Sequence, residues 1–267
     1  MEESKVLEMI NMNPIVIKNI DNPTEEMKLA ALKKDGLLLR YINNPTDEMN
    51  KIALENNIRA IEYIENPTED MVLKAIAKGW TNLNYINNPS DEAIKLGLSQ
   101  RGWAIQYVKN PSEELQLIAV EKDYDAIKYI KEPLESVQEK AVSISYEALR
   151  YIKSPTSKAE YLAVKNNESA IRFIYNLDKE KMLTLLKANI LVIKYIYKDL
   201  STEDVENALK DILSSEDIEE KYIRDFINCS VIDRNSDKIK IDKIMFIYKY
   251  GSKKAKKIAV DERLKFN

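Results

Sequence analysis

Seven of the chain's 8 prolines, Pro23, Pro45, Pro67, Pro89, Pro111, Pro133 and Pro155, stand 22 residues apart without a slip. A fixed period of this length is the signature of stacked repeats, where each unit contacts its neighbours and no single large core forms. Cutting at the prolines gives units such as PTDEMNKIALENNIRAIEYIEN and PSEELQLIAVEKDYDAIKYIKE. The frame continues without its proline to residues 1–22 and 177–198. Nine repeats over residues 1–198 are predicted, followed by a segment at 199–267 that leaves the pattern and is predicted to form a helical cap.

Each unit reads as two helices. Asn-Pro-Thr-Glu is a start signal: Asn22 or Thr24 can cap, proline suits the first helical position, and Glu25 falls where a capping box places its carboxylate. Counted from the proline, positions 5, 9 and 10 share one face at helical spacing, as in Met49, Ala53 and Leu54. Position 9 reads Ala31, Ala53, Ala75, Gly97, Ala119, Ala141 and Ala163, all small enough for close helix approach. Position 13, with Asp35, Asn57, Gly79, Asp123 and Asn167, is rich in residues that tolerate the left-handed conformation, so the first helix is predicted to end there after about 11 residues. A second, shorter helix follows, with an apolar arc at positions 16, 17 and 20 such as Ala126, Ile127 and Ile130. The fold class is thus an all-α solenoid. The competing fold is a leucine-rich horseshoe, whose period range includes 22. That fold needs alternating apolar positions, whereas AIKYI has adjacent apolar pairs.

The motifs NPTEEM, NPTDEM, NPTEDM, NPSDEA and NPSEEL, each followed by YI or YV, resemble the NPSEE-type tandem repeats of phage and bacterial proteins. More distantly they are similar to leucine-rich variant repeats, which pair an α-helix with a short second helix. The resemblance covers residues 1–198, implies a helical array, and carries no activity or functional residue with it. A phage-encoded inhibitor of a host or defence protein is one form it suggests. Glu132 and Leu134 around Pro133 depart from the motif and weaken the cap of that unit.

Composition narrows the chemistry. There is no histidine, which removes the commonest general base and metal ligand. The one cysteine, Cys229, has no thiol to pair with and no histidine to activate it, and the 5 glycines form no phosphate loop. The acidic pairs at the helix starts are explained by the helix dipole. No catalytic residue, cofactor or metal is therefore expected; an enzyme site confined to the last 70 or so residues is the remaining catalytic alternative. A lone thiol points to a reducing compartment. With no apolar run long enough for a membrane and an acidic N-terminus unlike a signal peptide, a cytoplasmic protein without membrane contact is expected. The net charge of −3 is uneven: residues 231–267 carry +6, including Lys253, Lys254, Lys256 and Lys257, and residues 1–230 carry −9.

Function in such an array should lie where repeats differ on exposed positions. Position 18 reads Arg40, Glu62, Asn84 and Gln106, then Lys128, Arg150, Arg172 and Lys194; position 21 adds Lys109, Lys131 and Lys153. Beside them, position 19 is a ladder of Tyr41, Tyr63, Tyr85, Tyr107, Tyr129, Tyr151, Phe173 and Tyr195. Cations interleaved with rings suit phosphates and bases, or an acidic protein segment. Equally, Asp125 and Glu147, three residues before Lys128 and Arg150, would neutralise part of the ridge as ordinary helix pairs. A second feature is aromatic: Trp80, Trp103, Tyr124 and Tyr146 fall near the turn between the two helices of four successive repeats. They suit a protein partner, since Trp and Tyr are favoured interface anchors, or else fill gaps at that turn. A protein-binding scaffold is the leading expectation and nucleic-acid or nucleotide binding the alternative; the sequence leaves the partner and the oligomeric state open.

Overall fold

The computed structural model of the chain describes residues 3–264. Among them the only β pairing is an isolated bridge between Ile232 and Ile239, and the fold is all-α. The nine repeats supply α1 (Glu3–Met12), α2 (Glu25–Lys34), α3 (Asp47–Asn56), α4 (Glu69–Lys78), α5 (Asp91–Gln100), α6 (Glu113–Lys122), α7 (Glu135–Ile144), α8 (Ser157–Asn166) and α9 (Lys179–Ala188). Each is ten residues long. The second helix of each repeat is a 3₁₀ helix, six residues in the first eight repeats, for example Gly36–Tyr41, Gly102–Tyr107 and Tyr146–Tyr151. In the ninth it shortens to Ile190–Val192 and passes into α10 (Ile193–Ile196).

The caps differ in detail from the start signal read in the sequence. Thr24 is the N-cap of α2, its hydroxyl accepting from the Met27 amide, and Thr46, Thr68, Ser90, Ser112 and Thr156 repeat the contact. Each such cap contributes about 1 kcal/mol. With threonine as cap, Glu25 and Glu26 become the first two helical residues, and the capping box expected at Glu25 does not form. The pre-proline asparagine shapes the turn instead. Asn22, Asn44, Asn88 and Asn110 take φ near +50°, bending the chain sharply before the proline. The seventh repeat lacks this chemistry, because Leu134 occupies the cap position and its side chain has no acceptor.

Position 13 is also not left-handed. Asp35, Asn57 and Asn167 are extended, with φ between −146° and −153°, and each side chain caps the 3₁₀ helix that follows by accepting an amide two residues on. Asp and Asn are enriched both in left-handed positions and at N-caps, and here the second preference decides.

The buried positions follow the frame. Ala31, Ala53, Ala75, Ala119, Ala141 and Ala163 are fully buried, as are Ala126 and Ile127 of the 3₁₀ arc. Two compact units divide the chain, residues 1–131 and 132–267. In the first, α1 to α6 stack in chain order. In the second, α7, α8 and α9 stack, and α9 packs on α11 (Thr202–Leu213). The chain then adds α12 (Glu220–Asn228), α13 (Lys243–Tyr250) and α14 (Lys253–Leu264), the last two separated at Gly251. Ser201 and Asp204 form a reciprocal capping box on α11. α12 instead begins at Glu220 without a side-chain cap. Tyr222 fastens it to the ninth repeat by donating to the Leu186 carbonyl at 2.9 Å, and burial pushes that hydroxyl's pKa far up. No described helix is long and apolar enough to cross a membrane.

Candidate interaction surface

The 3₁₀ helices present the surface on which the sequence candidates lie. With three residues per turn, residues i and i+3 eclipse, so positions 15 and 18 stack in one column while 16, 17 and the capping position 20 face inward. Asp125 and Lys128 are such a pair, joined at 2.9 Å.

In the first unit the candidates meet around Trp103. Its indole N–H donates to Asp125 Oδ1 at 2.7 Å. Lys128 Nζ sits 3.8 Å from the centre of the Trp103 ring, the Arg101 guanidinium lies 4.7 Å from it, and the Tyr129 ring stands edge-on at 6.0 Å. Asp123 joins the cluster, pairing with Arg101 and accepting the Gly102 amide at 2.8 Å. Burial raises the pKa of Asp125, but the hydrogen bonds from Lys128 and Trp103 and the charges of Lys128 and Arg101 outweigh it and hold the carboxyl below its ordinary value. Trp80, half-buried one repeat earlier, lies 6.0 Å from Tyr107. Tyr124 is half-buried at the equivalent place in the sixth repeat.

The second unit repeats the motif without tryptophan. Tyr146 stacks on Phe173 of the next repeat at 6.4 Å, and Arg150 covers both Tyr151 and Phe173 at 5.7 and 5.4 Å. Arg172 lies 5.0 Å from the Tyr195 ring and donates to its hydroxyl. Lys194 pairs at 3.4 Å with Glu168 of the preceding repeat. The tyrosine ladder, the turn aromatics and the cations, three separate features in the sequence, therefore merge into a strip within each unit. A turn aromatic of one repeat meets the ladder ring of the next, and cations lie over the rings. The rings keep part of their surface, with Tyr41 40%, Tyr129 37%, Tyr151 37% and Tyr195 36% exposed.

Lys109, Lys131 and Lys153 lie in the turns after the 3₁₀ helices, and none has an ion-pair partner among the described residues. Sequence reasoning missed Arg101 and Asp123 in the Trp103 cluster, since neither stands out in its own repeat. It also missed the inter-repeat pair of Lys194 and Glu168, which nothing in local spacing reveals.

Two grooves flank the strip's repeats in the first unit. One, of about 550 Å³, opens between α3 and α4 over Leu54, Ile58 and Met71, with Lys51, Asp70 and Lys74 at its rim. The other, of about 680 Å³, lies between the turn edges of the fourth and fifth repeats, next to Tyr107 and Lys109. Cys229 is buried, and no group of three Asp, Glu or Cys side chains among the described residues is placed to hold a metal ion. Compared with known proteins, the chain matches no family model, and no curated protein or solved structure is significantly similar to it.

Proposed function

We propose that the chain is a non-catalytic protein-binding scaffold that contacts its partner through the aromatic and cationic surface of the 3₁₀ helices. The observation that carries this reading is how the ridge cations are engaged. Lys128 is held by Asp125 and the Trp103 ring, Lys194 by Glu168, and Arg150 and Arg172 by rings. Nucleic-acid affinity rests on cations that neutralise phosphates, and these would first have to leave their own partners. Half-exposed Tyr and Trp rings with arginines laid across them match the residue types that dominate protein hot spots.

Immobilised chain should retain a protein partner at about 150 mM salt, where unspecific charge contacts are well screened. Tyr129→Ala should weaken that complex by ~2 kcal/mol or more, read by calorimetry. A second reading, nucleic-acid binding, is favoured by the unpaired Lys109, Lys131 and Lys153. It predicts binding of labelled single- or double-stranded DNA or RNA that falls steeply with salt and is abolished when Lys109, Lys131 and Lys153 are reversed in charge together with Lys128, Arg150, Arg172 and Lys194. Absence of nucleic-acid binding at low salt removes it.

A further inference from the structure

Several carboxamides of this chain reach across from one repeat to the backbone of the next. Those at the ends of the α-helices do so most often. Asn56 donates to the Lys33 carbonyl at 2.9 Å and accepts the Gly36 amide at 2.8 Å. Gln100 does the same between the fourth and fifth repeats, donating to the Ile76 carbonyl at 2.7 Å and accepting the Trp80 amide at 3.1 Å. Asn166 and Asn189 donate to the Val142 and Val164 carbonyls. A carboxamide offers donors and an acceptor side by side, which is the complement of a peptide backbone.

Around the groove between the fourth and fifth repeats the carboxamides stand uncommitted. Asn84, Asn87, Asn88 and Asn110 line it and make no side-chain hydrogen bond among the described residues. Gln106 also lines it, with its amide nitrogen on the Trp103 carbonyl and its oxygen left over. Asn88 and Asn110 are accounted for by the positive φ of the turn. Asn84 and Gln106 are not: they occupy the exposed position that is charged in most other repeats, where a charged side chain would be as well solvated. The floor is apolar, formed by Leu83, Ile94 and Leu115, and Tyr107 provides a wall. Only Asp91 and Lys109 among the lining residues are charged, in a chain that is 32% charged overall.

We propose that this groove binds an extended, charge-poor peptide segment of a partner protein, gripped through its backbone by Asn84 and Gln106 as Asn56 and Gln100 grip the neighbouring repeat. The proposal rests on the scaffold reading and specifies a site for it at the edge of the ring strip, beside Tyr107. Charge complementarity selects this occupant: a polyanion would find one lysine and one carboxylate, whereas a neutral backbone finds the carboxamides of Asn84, Asn87, Asn88, Gln106 and Asn110. Spacing agrees as well. Packed helices repeat every ~8–10 Å, and an extended chain rises ~3.3 Å per residue, so Asn84 and Gln106, one repeat apart, would meet peptide groups about three residues apart.

A randomised peptide display library panned against the full chain tests this. Enriched peptides are synthesised, and their affinity is measured by fluorescence anisotropy against wild type and the double variant Asn84→Ala/Gln106→Ala. The expected result is a tenfold or greater loss with the variant, and a similar loss when the peptide's backbone amides are N-methylated. A second variant, Asn84→Lys/Gln106→Lys, guards against misfolding, because the sixth repeat carries Lys128 at that position, and it should lose binding too. Failure to enrich any peptide overturns the proposal, as does enrichment of peptides that bind both variants like wild type. Peptides that ignore the groove variants but are lost with Tyr129→Ala overturn the groove while leaving the scaffold reading in place.

Discussion

The interface between the second and third repeats and the one between the third and fourth differ at two facing positions that bear on how closely the helices come. At the first, Gly36 begins the 3₁₀ helix against the next α-helix: a Cβ there would stand 2.2 Å from the Ala53 carbonyl oxygen, and Asn56 staples the two repeats. At the second, Ile58 takes the place of Gly36 and Lys78 that of Asn56. No carboxamide bridges that interface among the described residues, and the groove over Leu54 and Met71 opens instead. The fifth and sixth repeats return to the close form, with Gly102 against the Ala119 carbonyl and Asp123 as the staple. Glycine at one position and a short acceptor near the end of the following helix are thus a paired device for tight stacking.

Substitutions at the two interfaces can break this contrast. Gly36→Ala should be the most damaging, because the clash is with backbone, and should cost about 3 kcal/mol in denaturant unfolding. By contrast, Gly79→Ala should be neutral or slightly stabilising, since its Cβ would meet nothing nearer than 3.8 Å. Equal effects would refute the packing role of Gly36. Ala119→Leu, in the fully buried position opposite Gly102, should cost about 2 kcal/mol by overpacking, while the exposed Lys122→Leu should cost little. Asn56→Ala removes both staple bonds and should cost about 1.5 kcal/mol.

Acid separates a carboxylate-held interface from a carboxamide-held one. The folded pKa of Asp125 is depressed, so its contribution is present above the ordinary aspartate value near 4 and is lost as pH falls through the folded value. With Trp80→Phe as background, Trp103 fluorescence should change below about pH 4, and Asp125→Asn should remove that transition at a cost of about 1 kcal/mol at neutral pH. The smallest expected effect runs the other way. Lys78→Asn, placing a staple at the open interface, should stabilise by about 0.5 kcal/mol; a loss would show that Ile58 holds the repeats too far apart for it.

Much of this is legible in the sequence. The 22-residue frame, the helical class and the buried alanines follow from Pro23 to Pro155 and from position 9, where the seven proline-headed repeats carry only Ala or Gly. The 3₁₀ character of the second helix is not, because positions 16, 17 and 20 suit either helix type over six residues. Position 13 misleads since Asp and Asn serve two backbone roles. The surface is legible only as separate columns. What joins Trp103 to Asp125, or Tyr146 to Phe173, is the stacking of adjacent repeats, and a linear pattern does not reveal which side chains that stacking brings within reach. Asn84 and Gln106 are visible as departures at position 18, but the backbone staples of Asn56 and Gln100, which give them meaning, emerge only in three dimensions.

The reach of the staples has an evolutionary consequence. Those of Asn56, Gln100, Asp123 and Asn166 join residues 20 to 24 apart, so each belongs to a single pair of neighbouring repeats. An in-frame duplication or loss of 22 residues keeps the helical frame and alters staples only at the junction where it falls, leaving the others intact. Descendants of such a chain can lengthen or shorten by whole units at the cost of one junction, while an insertion of any other length within a repeat would also misplace every following proline.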